Sequence, residues 1–134
     1  KILLHNDHLQ FAEKMIYWGK VLYLINASIP DADLSLICRY SPNDFKWAED
    51  KESDIWKHII DQKILYKRND LTDKGWFSEA PFTSGLPNES PQRLGQYIGY
   101  KMVLSYMAVN PNIALKELIK VSYTDIMKEY KIEK

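Results

Sequence analysis

A chain of 134 residues, 46% apolar and 27% charged, is long enough for one domain with a hydrophobic core of its own. Eighteen Lys and Arg balance eighteen Asp and Glu. With no basic excess to collect phosphates, this composition argues against a dedicated nucleic-acid binder. Cys38 is the single cysteine, which rules out an internal disulfide and any zinc or iron–sulfur centre built from cysteines.

Residues 1–29 open with a helix that Asn6 or Asp7 can cap. From Leu9 to Ile25 its apolar positions are so many that the stripe is too wide for a surface helix, and the spacing predicts a central helix buried on most sides. Glu13, Lys14 and Lys20 mark its narrow wet edge. Its longest apolar run, Val21 to Ile25, falls far short of the roughly 20 residues a membrane span needs. Ile29-Pro30 ends it, because proline disfavours a helical residue before it. Residues 31–40 read either as a short helix or as an irregular apolar link. Ser41-Pro42-Asn43-Asp44 is a strong helix start, with a capping serine and proline at the first position. Phe45, Ala48, Ile55, Trp56, Ile59 and Ile60 then follow helical spacing, predicting one long amphipathic helix to about Tyr66.

Residues 67–90 carry Asp70, Gly75, Pro81, Gly85, Pro87 and Asn88, the least regular stretch of the chain. Trp76, Phe77 and Phe82 make it a loop that packs down on the core, as long loops in small domains tend to do. Ser90-Pro91 restarts a helix to about Val109, and Asn110-Pro111 breaks it. Short helices follow at Ile113–Val121 and, after a capping box from Ser122 to Asp125, near Thr124–Lys131. No alternating strand pattern and no repeat occurs. The expected fold is mainly α: a single compact helical domain over 1–134 with one long irregular packed loop.

The sequence is thin in catalytic signatures. His5 and His8 stand three apart and share a helix face, yet an HExxH zinc helix is missing and exposed histidines are the simpler reading. There is no nucleophile elbow, no phosphate-binding glycine loop and no thiol-protease signature. Glu79, Glu89 and Glu13 offer carboxylates for a hydrolytic pair, which eighteen acids supply by chance. Gly95 and Gly99, four apart on one helix face, imply close approach of another backbone, expected from the first helix near Gly19. A glycine within a helix costs about 1 kcal/mol relative to alanine, so two of them require tight packing in return. Tyr17, Trp18, Tyr97 and Tyr100, on the two most apolar helices, read as core before they read as a pocket or sugar platform.

Three segments together carry a resemblance. They are Glu13-Lys-Met-Ile-Tyr-Trp-Gly19 running on to Ile25; Ala80-Pro-Phe82 leading to Asn88-Glu-Ser-Pro-Gln-Arg-Leu-Gly-Gln-Tyr-Ile-Gly-Tyr100; and Val103-Leu-Ser-Tyr-Met107 with Asn110-Pro111 after it. In this order and spacing the chain resembles the C-terminal part of the gliding-motility lipoprotein GldB family of Bacteroidetes, over essentially its whole length. The resemblance implies the C-terminal portion of a longer envelope lipoprotein. Its lipid-bearing cysteine would lie upstream, and its partners would be envelope proteins of a gliding or export machine. The start at Lys1 rather than Met fits a processed piece.

Through that family the chain is also distantly similar to zincin-type zinc peptidases, whose second helix supplies a third metal ligand from a pattern like M-I-x-E-G. Here that stretch reads Met15-Ile-Tyr-Trp18-Gly19. Trp18 stands where the ligand glutamate would be, and indole cannot take its place. The resemblance thus implies the helical part of a zincin-like scaffold that has lost its metal, a pseudo-enzyme with no cofactor and no catalytic residue. Glu13, Tyr17, Trp18, Gly19, Glu89, Ser90, Pro91, Arg93, Gly95, Tyr97, Gly99 and Tyr100 form its structural or pocket motif. Arg93 is expected on the first turn of its helix, answering a carboxylate such as Glu89 or Glu13 and closing the long loop onto the core. Two alternatives stay open: a metallopeptidase or other hydrolase whose metal ligands lie upstream, and a glycan- or peptide-binding module using Tyr17, Tyr97, Tyr100 and Trp76.

Overall fold

The computed structural model describes residues 9–68, 75–77 and 90–132. Among the described residues seven helices succeed one another: α1 Phe11–Ser28, α2 Leu34–Ile37, α3 Pro42–Asp50, α4 Glu52–Asp61, α5 Leu94–Val109, α6 Leu115–Lys120 and α7 Tyr123–Lys128. A further helical turn covers residues 75–77, and no strand occurs among the described residues. The fold is mainly helical, as the periodicity implies.

The centre is the pair α1 and α5, which make the most extensive interhelical packing of the molecule. α1 turns Phe11, Ala12, Met15, Ile16, Gly19 and Leu22 inward. Every residue of α5 from Leu94 to Tyr100 is buried. The two backbones touch where both carry glycine. A Cβ on Gly99 would run into the backbone carbonyl of Met15, and one on Gly19 into the carbonyl of Gly99. Removing Cβ is the way two helices approach this closely. Gly95 plays a different part from the one its spacing suggests. It faces the Phe77 ring, 2.6 Å from the position a Cβ would take, and the Trp76 carbonyl at 2.9 Å, so it admits the 75–77 turn rather than α1.

The helix starts follow local chemistry. Ser41 accepts the Asp44 N–H at 3.1 Å with Pro42 at the first helical position, and Ser122 accepts the Asp125 N–H at 3.2 Å. α1 is capped at Gln10, whose N–H donates to the Glu13 carboxylate at 2.8 Å; Asn6 and Asp7 lie outside the described residues. The one-turn α2 settles the ambiguous stretch 31–40.

Two expectations are corrected. The long helix after Ser41 is two, α3 and α4, hinged at Lys51, and it ends at Asp61. The break falls where the apolar stripe lapses. Ala48, Ile55 and Ile59 are buried, and position 52, in phase with them, is Glu52, only 5% exposed. Its carboxylate must be met inside, and it accepts the Tyr130 hydroxyl at 2.7 Å with Lys101 Nζ at 3.9 Å. Second, Lys14 is buried rather than at a wet edge, while the side of α1 turned away from α5, with Tyr17, Trp18, Val21 and Leu24 half-buried and Ile25 exposed, is partly open. The helix is apolar on nearly all sides, but its neighbours cover one of them.

Candidate functional site

The described part of the family-like run, from Ser90 to Tyr100, folds as an extended entry into α5 followed by the buried start of that helix. Arg93 is the N-cap, one residue earlier than expected, and its backbone is left-handed (φ 61°, ψ 32°). Few non-glycine residues accept that conformation, and what holds this one is its side chain. Arg93 is 3% exposed. Its Nη2 donates to the carbonyls of Arg39 at 2.6 Å and Cys38 at 3.3 Å, and the guanidinium lies 5.5 Å from the centre of the Tyr40 ring, within cation–π range.

The expected ion pair with Glu13 is not formed, because Glu13 is committed to the α1 cap; Glu89 lies outside the described residues. Arg93 therefore ties α5 to the α2–α3 connection through backbone oxygens. Planar guanidinium N–H groups suit this, since they satisfy carbonyls that burial would otherwise leave costly.

Around Arg93 a polar seam continues. Tyr40 donates its hydroxyl to the Gln92 carbonyl at 2.6 Å. Gln96, 4% exposed, bridges two segments. Its Oε1 accepts Arg39 Nη2 at 2.7 Å and its Nε2 donates to the Phe77 carbonyl at 2.6 Å. Arg39, like Arg93, has a left-handed backbone (φ 61°). The seam thus fastens α5, the α2–α3 link and the 75–77 turn at one end of the molecule. Gln96, Arg39 and Tyr40 were not legible as members. Gln96 sits in the run as an ordinary helical polar residue, and Arg39 and Tyr40 belong to a segment without periodicity.

Beneath the seam are aromatics. Trp76 is 2% exposed, edge-on to Phe11 at 5.7 Å and stacked on His58 at 6.1 Å. Tyr97 is 1% exposed and packs against Phe45 and Tyr40. Among the described residues its hydroxyl and the Ser90 Oγ are buried without a hydrogen-bond partner. Burial pushes the Tyr97 hydroxyl well above the usual tyrosine value, with Glu52 and Glu49 adding to the effect. Burial likewise raises the Cys38 thiol to about 12, against the pull of Lys101, Arg93 and Arg39. A thiol so protonated is a packing group rather than a nucleophile.

The aromatic set proposed for a pocket is divided. Tyr97, Tyr100 and Trp76 fill the core. Tyr17 and Trp18 are on the open side of α1, in edge-on contact at 5.8 Å. There they border two separate grooves. One, of about 360 Å³, is lined by Tyr17, Lys20, Leu24 and Ile119 among others. The other, of about 280 Å³, is lined by Trp18, Ile25, Ile29 and Leu36 among others. Trp18 thus faces aliphatic carbon, and its indole nitrogen is a donor with no lone pair for a metal. Among the described residues no three of His, Cys, Asp and Glu stand together as a metal-ligand group; His5 and His8 lie outside them. The donor set described does not fit a zinc site. No helix among the described residues is long and apolar enough to cross a membrane.

Comparison with curated proteins and with solved structures returns no match. Comparison with family models returns one described as gliding motility protein GldB, matching residues 2–133. That span includes the α1 stretch, the Ser90–Tyr100 run and the closing helices, and on it the chain belongs to the gliding motility protein GldB family.

Proposed function

We propose that this chain is a non-catalytic domain of a cell-envelope lipoprotein associated with gliding motility, acting through protein contacts on a zinc-peptidase-like scaffold that has lost its metal. Family membership supports the link to gliding. One observation carries the non-catalytic reading. Two polar side chains of the most family-specific run are spent on the fold, Arg93 on two backbone carbonyls and Gln96 on the Phe77 carbonyl and Arg39. A catalytic group must reach substrate, and these groups face inward. Trp18 in the ligand position supports loss of the metal. Membrane attachment is proposed through a lipid on a residue outside this chain, since Cys38 is internal and 3% exposed.

The test is zinc titration on protein extended upstream of residue 1, beside deletion of the gene in a gliding host. The expected results are no stoichiometric zinc tighter than about micromolar, melting unchanged by chelator, and loss of colony spreading in the deletion strain. Stoichiometric zinc with peptide hydrolysis would overturn the non-catalytic reading. Normal spreading would overturn the gliding role.

A further inference from the structure

The larger groove holds a positive charge that no acid of the fold answers. Tyr17, Val21 and Leu24 of α1, Ile119 of α6 and Tyr123 of α7 line it, with Lys20 among them. Lys20 stands three positions after Tyr17 and four before Leu24, so the three side chains share one helix face. The Lys20 ammonium donates to the carbonyls of Ile119 at 2.9 Å and Val121 at 2.7 Å, at the C-terminal end of α6. Those two bonds fix Nζ at the groove wall. They leave one N–H, since an ammonium carries three donors.

Among the described residues no carboxylate forms an ion pair with Lys20. Burial lowers its pKa from the ordinary lysine value, and no acidic group counters the effect. A cation half out of water without a counter-ion gains from an anion brought to it. Glu13, the acid of the groove, stands seven positions earlier, about 10 Å along the helix axis, and accepts the Gln10 N–H. The Tyr123 hydroxyl is given to Gln10. The remaining wall named above is mostly carbon. A peptide laid on it would bring backbone groups with few polar atoms to meet them, and an alkyl chain brings none. The volume of about 360 Å³ falls in the small-molecule range of about 300–1,000 Å³. We propose that this groove binds an aliphatic carboxylate of the fatty-acid class, its head group on Lys20 Nζ and its alkyl chain along Tyr17, Val21 and Leu24. The charge of Glu13 repels a carboxylate from the other end of the groove, so the head group stays at Lys20. The inference does not rest on the envelope reading.

Calorimetric titration of the full chain with decanoate, beside decanol, tests it. Decanoate should bind one to one and saturate. Decanol has the same chain without the charge and should bind about tenfold more weakly or worse, the loss expected when a charged hydrogen bond is missing. Lys20→Met should abolish that preference and leave decanol binding as it was. Because Lys20 also holds the end of α6, two further variants accompany it. Lys20→Arg keeps the charge and the donors and should keep the preference. Leu24→Asp touches neither α6 carbonyl and should weaken both ligands while the helical circular dichroism stays unchanged. No saturable binding up to about 1 mM overturns the proposal. So does equal affinity for the two ligands, or a decanoate affinity that Lys20→Met and Leu24→Asp both leave unchanged. Tighter binding of an apolar tripeptide than of decanoate overturns it in favour of a peptide.

Discussion

Arg93 shows how much one side chain carries. It occupies a left-handed N-cap, and its guanidinium satisfies two carbonyls at a place closed to water. Arg93→Met keeps most of the stem and removes the donors. Each buried carbonyl left unmet costs about 1–3 kcal/mol, so urea denaturation should show a loss of about 2–4 kcal/mol, with Arg93→Lys between the two. An unchanged midpoint would mean the seam is incidental. The buried tyrosines set a pH limit by the same logic. Burial raises the hydroxyls of Tyr40, Tyr97 and Tyr130 above their ordinary value of 10.0. Above that value the unfolded chain releases these protons while the folded one retains them. Stability is therefore full below about pH 10 and falls as pH rises beyond it. The urea midpoint should be flat near neutrality and drop steeply in alkali, and a flat profile to about pH 11 would contradict the buried, neutral hydroxyls.

Among the helices, the decisive contact is the crossing of α1 and α5. Gly95 and Gly99 look equivalent in the sequence and differ in the fold. Gly99 meets backbone, which cannot move aside, and Gly95 meets an aromatic ring edge and one carbonyl. Gly99→Ala should cost about 3 kcal/mol or more, since it forces the two central helices apart. Gly95→Ala should cost less, because the Phe77 ring can turn. Thermal melts of the two variants check this order, and equal losses would mean the crossing yields more than its geometry suggests. The α3–α4 break belongs here too. A single buried carboxylate, Glu52, interrupts an otherwise regular stripe. Periodicity alone read through it, because a charged residue within a helix is usually on the wet side.

For the molecule as a whole, the two sides of α1 have different fates. The side with Met15 and Gly19 is locked against α5, and the side with Tyr17 and Trp18 is only partly covered by the described residues. Apolar grooves of this kind on a small domain usually mean a partner. The polar seam at Arg93 and the grooved face beside Tyr17 and Trp18 are separate features. The first holds the fold and the second presents a surface. Substitutions of the seam should therefore lower stability, and substitutions of exposed residues on the grooved face should leave it nearly unchanged, which thermal melts check. Paired melting and binding measurements separate the two, and the metal test on the extended protein stands apart from both.

Helix content, the Ser41 and Ser122 caps and the stop at Ile29-Pro30 were legible from residue types, because they depend on neighbours a few positions away. The family was legible too, from three ordered segments with the glycines and the proline in place. That Arg93 donates to the carbonyls of Cys38 and Arg39 was not. Backbone carbonyls leave no mark in side-chain identity, and these two lie more than fifty positions away. Nor was the division of the aromatics into core and groove. Tyr17 and Tyr97 both lie in apolar helices, and whether such a residue is buried depends on which neighbours the chain returns to that face. α1 reads as buried on most sides because its composition is apolar on most sides. Packing against α5 covers one side fully and leaves the side with Tyr17, Trp18 and Ile25 partly open.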